Sequence, residues 1–127
     1  MSKILSIHWV IISAVWYFVN GILHDIFVLI NHKGPYNREL LRLLMDGHVL
    51  ILSGVIMFVC YLMVLNKLQY GALIAIIITV AMLVYCIMIY PFLKSFGTMI
   101  ISIMTILACL NAYSAFPDIN QLIQKFK

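Results

Sequence analysis

The sequence predicts an all-α membrane fold, a four-helix up-and-down bundle followed by a short interfacial helix, and three observations carry that reading. The 127 residues are 65% hydrophobic and only 9% charged, with a mean hydropathy of +1.13. A soluble domain is about half apolar and about one quarter charged. Four apolar runs each reach the ~20 residues that cross ~30 Å of hydrocarbon. Each run also carries a polar or small-residue stripe at helical spacing, the pattern of helices that meet inside a bilayer.

The first span is predicted over 4–31. It follows Lys3 like a signal peptide, but it is longer than one, carries His8 and Asn20, and runs on into a charged segment, so it reads as a retained helix. The segment "HKGPYN" turns the chain, and Asn37 is placed to cap a second helix over 38–65, with Glu39 near its positive end. "NKLQYG" breaks to a third helix over 72–90, which Pro91 ends. "FLKSFG" turns to a fourth over 98–116, stopped by Pro117. In the tail, Ile119, Leu122, Ile123 and Phe126 share one face beside Lys125 and Lys127, so residues 118–126 are predicted to lie flat in the interface. The whole chain, 1–127, forms one transmembrane domain.

Four spans place both termini on one side, A. Side A carries Lys3, Lys67, Lys125 and Lys127, and side B carries Lys33, Arg38, Arg42 and Lys94. With equal counts the positive-inside rule favours neither orientation, and the amino-terminal lysine tilts side A toward the cytoplasm. The net charge of +4 suits anionic headgroups. No run of Lys and Arg suggests a nucleic-acid patch. The expected partners are the lipid bilayer and a second copy of the chain or a membrane partner protein. Cys60, Cys86 and Cys109 fall in apolar runs without paired spacing, as small buried hydrophobes do.

At 100° per residue, Ser6, Ser13, Tyr17, Asn20, His24 and Asn31 occupy a sector about 60° wide on the first helix. Arg38, Arg42, Asp46, Ser53 and Cys60 align on the second, Ala72, Thr79, Cys86 and Tyr90 on the third, and Thr98, Ser102, Thr105 and Cys109 on the fourth. Hydroxyls on the last two helices read as interhelical glue, whereas Tyr17, Asn20 and His24 in one file suggest a cavity or hydrated path. His24, Asp25, Asp46 and His48 lie roughly 12–15 Å below the top of one hairpin, with Tyr85 or Tyr90 at a similar level.

Ionisable groups inside a membrane are functional suspects by default. The first helix turns about 100° between His24 and Asp25, and the second about 160° between Asp46 and His48, so all four cannot converge. His24 and Asp46 share their helices' polar stripes and are expected to meet. For Asp46 the plain alternative is an ion pair with Arg42, one turn earlier. A partly desolvated His beside a carboxylate relays protons near neutrality. His24, His48, Asp25 and Asp46 also make a nitrogen–oxygen set for zinc, iron or manganese, and a haem between His24 and His48 is the other cofactor the bundle could hold. Cys86 near His24 is the one candidate nucleophile–base pair. The expected function is small-solute or proton-coupled binding and transport along His24, Asp46, Asn20, Tyr17, Asp25 and Arg42. The alternatives are a metal- or haem-dependent enzyme acting on lipid or quinone, and a non-catalytic subunit binding partner helices.

Overall fold

In a computed structural model describing residues 2–91, 94–115 and 124, the chain forms four helices, α1 (Ser2–Asn31), α2 (Arg38–Leu65), α3 (Gln69–Ile89) and α4 (Phe96–Ala115). All four contain stretches long and apolar enough to cross a membrane. They pack in cyclic order, each against its two antiparallel neighbours, α1 closing the ring against α4.

The predicted α2 boundaries agree with the structure. Asn37 adopts extended backbone (φ −137°, ψ 176°), and its side-chain oxygen accepts the Leu40 amide at 2.9 Å. α3 begins three residues earlier than the expected Ala72. The reason lies in the turn: Lys67 takes left-handed backbone (φ 58°), with Lys67 N donating to Val64 O and Leu68 N to Met63 O. That six-to-one closure ends α2 and lets Gln69 start the next helix directly. α4 likewise opens at Phe96 rather than Thr98, since the Ser95 carbonyl already accepts the Met99 amide at 3.2 Å. Tyr90 and Phe96 meet edge-on with centroids 5.5 Å apart, bracing this connection. The expected interfacial helix over 118–126 lies, except for Gln124, outside the described residues.

Burial is inverted relative to a water-soluble bundle. The positions with least exposure include Ser13, Thr79, Ser102, Thr105, Ala72 and Ala75, while Phe27, Ile30, Leu52 and Met88 point outward. Where hydrophobicity does not drive helices together, small residues permit close approach and hydroxyls join the seams. Between α1 and α2 the approach is made by glycine. A Cβ on Gly21 would meet Gly47 O at 2.6 Å, and one on Gly54 would meet Phe18 N at 2.7 Å. Between α1 and α4 the seam is a ladder of hydroxyls: Ser13 to Thr105 at 2.5 Å, Tyr17 to Ser102 at 2.6 Å, and Trp16 Nε1 donating to Thr98 Oγ1 at 3.1 Å.

Each rung is individually weak. In a Tyr17→Phe/Ser102→Ala double-mutant cycle, measured by denaturant unfolding in detergent, the coupling is expected near 0.6 kcal/mol. A value near zero would mean that the rung does not form.

Candidate functional site

The side-B end of the bundle, where the α1–α2 and α3–α4 connections lie, contains an interior cavity of about 390 Å³. All the elements around it contribute. α1 supplies His24, α2 supplies Asp46 and Leu50, α3 supplies Tyr85 and Cys86, and the α3–α4 connection folds Ser95 over the edge. Leu43 and Ile89 complete an apolar wall.

His24 and Asp46 thus share one cavity, but no ion pair joins them. The His24 Nε2 bonds the Leu43 carbonyl at 3.1 Å. A carbonyl only accepts, so Nε2 carries a proton and donates it to Leu43. Tyr85 of α3 lines the same space as Asp46. Ser95 donates its hydroxyl proton to Thr98 Oγ1 at 2.9 Å. The alternative for Asp46, an ion pair with Arg42, does not close; the ion pair at this level lies elsewhere. Arg42 instead lines a recess with Arg38 and Glu39, which adjoins the cavity at Leu43 and Asp46. A second cleft, walled by Leu23, Phe27 and Ile30 of α1, shares His24, Leu50 and Ser95 with the cavity.

That ion pair is His48 Nδ1 to Asp25 Oδ2, at 3.0 Å. The same Nδ1 contacts the Leu44 carbonyl at 2.9 Å, and with two acceptors facing it the nitrogen carries the proton. The His48 side chain is 70% exposed, on the outer face of the α1–α2 pair, whereas Asp25 is 14% exposed. Gly47 makes room for the carboxylate, since a Cβ there would collide with Asp25 Oδ1. That oxygen is buried and has no hydrogen-bond partner.

These placements correct the sequence reading at several points. Asp25 and His48 form their own pair and do not line the His24–Asp46 cavity. The helix rotation that separates neighbours along the chain also separates the two pairs in space. The expected four-ligand metal set is therefore not assembled, and among the described residues no three His, Cys, Asp or Glu side chains are grouped to hold a metal ion. A haem bridging His24 and His48 meets the same obstacle, with one ring inside the bundle and the other outside. Tyr17 is fully buried, and its hydroxyl is held by Ser102. Asn20 borders the α1–α4 cleft but turns its amide back to the Trp16 carbonyl at 2.8 Å.

Ser95 and the Leu43 carbonyl belong to the site without any signal in the sequence. Ser95 lies in a connection, where helical periodicity carries no information, and a backbone acceptor has no signature in side-chain type. Chemically, the arrangement offers a titratable imidazole and a carboxylate in one half-enclosed, mostly apolar space. Below it, Ser53 bonds Met82 Sδ at 3.2 Å, and the Tyr17, Met57 and Cys60 core fills the bundle.

Fold and site together define a small helical bundle of membrane type with an ionisable cavity at one end. Comparison with family models, curated proteins and solved structures finds no match.

Proposed function

We propose that the protein is a membrane-embedded binding or transport protein, whose cavity receives a small solute at side B and whose His24 and Asp46 link that binding to protons. One observation carries this reading. An imidazole and a carboxylate from opposite arms of the hairpin line the same half-enclosed space, and among the described residues no Arg or Lys pairs with the carboxylate within 4.0 Å. An ionisable pair left without a countercharge in a membrane is costly as pure scaffolding, which favours a role in solute or proton movement. An imidazole ordinarily titrates where a nearby carboxylate or a cationic solute can change its protonation.

The cavity occupies one half of the bundle, above the Tyr17–Ser102 rung. In this reading, passage across the whole membrane therefore involves a second copy of the chain. The outward His48 ring supports such a partner, because a second copy would cover an imidazole that otherwise faces the leaflet.

The test uses proteoliposomes loaded with a pH-sensitive dye and offered cationic, neutral and anionic solutes in turn. Solute-dependent proton movement is expected with the parent protein. Replacing Leu50, which lines the cavity, by Trp should abolish it by occupying the space. Movement that persists unchanged in Leu50→Trp would contradict the assignment.

A further inference from the structure

The hydrogen-bonding state of each polar atom around the cavity says more about the solute than the cavity's size does. Two donors are already committed: His24 Nε2 gives its proton to the Leu43 carbonyl, and Ser95 Oγ gives its proton to Thr98 Oγ1. What remains is acceptor capacity, in the Asp46 carboxylate and the oxygens of Tyr85 and Ser95, and no Arg or Lys lines the space. Leu43, Leu50 and Ile89 close the space with hydrocarbon.

A site with spare acceptors, a carboxylate and an apolar wall complements one kind of molecule. Building on the binding reading above, we propose that the cavity takes a primary or secondary ammonium carrying an apolar body, its N–H groups directed at Asp46. A neutral alcohol brings one donor and no charge. A carboxylate or phosphate would face Asp46 with like charge, and no Arg or Lys lines the cavity to offset it. A metal cation meets the same acceptors, but the hydrocarbon wall offers it nothing in exchange for its water. The volume of about 390 Å³ is within the ~300–1,000 Å³ range of small-molecule sites and accommodates an aryl or short alkyl group beside the ammonium. The cleft along Leu23, Phe27 and Ile30 gives such a molecule a route from the acyl chains that does not first cross the Arg38 and Arg42 recess.

The experiment is calorimetric titration of the purified full chain in lipid nanodiscs with four probes of one shape. They are phenethylammonium, its trimethylammonium analogue, phenethyl alcohol and phenylacetate. Saturable binding is expected for phenethylammonium. The trimethylammonium analogue keeps the charge but lacks N–H donors, and should bind about tenfold more weakly or worse. Asp46→Asn should weaken phenethylammonium by a similar factor in the same lipid, which separates binding from partition into the bilayer. Asp46→Glu, which keeps the charge, should retain binding. Should Asp46→Asn fail to fold, the ranking of the four probes on the parent chain decides alone.

Equal or tighter binding of the alcohol or of phenylacetate overturns the ammonium assignment and leaves the cavity as a binding site. Equal binding of the trimethylammonium analogue overturns the N–H requirement. Absence of saturable binding by any probe overturns the ammonium assignment. The flux measurement with Leu50→Trp then judges the binding reading separately.

Discussion

Gly54→Val is expected to destabilise the bundle by about 3 kcal/mol, roughly a hundredfold in the folded-to-unfolded ratio. The reason is the identity of the atoms a side chain would meet. A Cβ at Gly54 falls 2.7 Å from Phe18 N, 2.9 Å from Ala14 O and 2.9 Å from Phe18 Cα, all of them α1 backbone. No rotamer change relieves such a contact, so the two helices must separate. Gly21→Val should act alike, because Gly47 O at 2.6 Å and Ile51 N at 2.8 Å are also backbone. Separation would carry away the Asp25–His48 pair and one wall of the cavity. Gly34→Ala is the control: the nearest atoms are the His32 ring, at 3.3 Å and beyond, and the change should stay within about 0.5 kcal/mol. Denaturant unfolding in detergent reads all three, and a Gly54→Val protein as stable as the parent would refute the close approach.

Asp46→Asn is expected to abolish solute-dependent proton movement in proteoliposomes while the protein still extracts and folds, and His24→Ala should do the same. Asn preserves the shape at position 46, so little packing is lost, but it neither ionises nor pairs with a cation. Asp25→Asn provides the contrast. It removes a carboxylate from the same leaflet, but one whose partner is a largely exposed histidine outside the cavity. Because Asp25 lies outside the cavity, Asp25→Asn should leave proton movement intact. Equal loss of movement in Asp25→Asn and Asp46→Asn would mean that the two pairs act as one site. Unchanged movement in both Asp46→Asn and His24→Ala would remove the functional reading.

The contrast between these aspartates also shows how much of the site is legible in the chain itself. Counting 100° per residue places Ser13, Tyr17, Thr98, Ser102 and Thr105 on inward faces, and all five are buried. It also separates His24 from Asp25 and Asp46 from His48, which is how the structure divides them. The Asn37 cap is legible because capping is local chemistry. Periodicity does not say which inward residues touch. The stripe on the first helix sets Tyr17 beside a path, yet the side chain spans to Ser102 and fills the interior, because the α1–α4 register brings the phenol opposite a hydroxyl. That register belongs to the hydroxyl seam of α1 with α4, whereas His24 Nε2 reaches the Leu43 carbonyl across the α1–α2 seam, where Gly21, Gly47 and Gly54 set the close approach.

The most direct measurement is cysteine accessibility. In a protein with Cys60, Cys86 and Cys109 replaced by Ala, Ser95→Cys at the cavity edge and Ser13→Cys at the buried Thr105 rung are each exposed to a charged methanethiosulfonate. Modification of Ser95→Cys from side B only, with Ser13→Cys inert from both sides, is the predicted result. Rapid modification of Ser13→Cys, or an unreactive Ser95→Cys, would contradict a water-accessible half-cavity around His24 and Asp46.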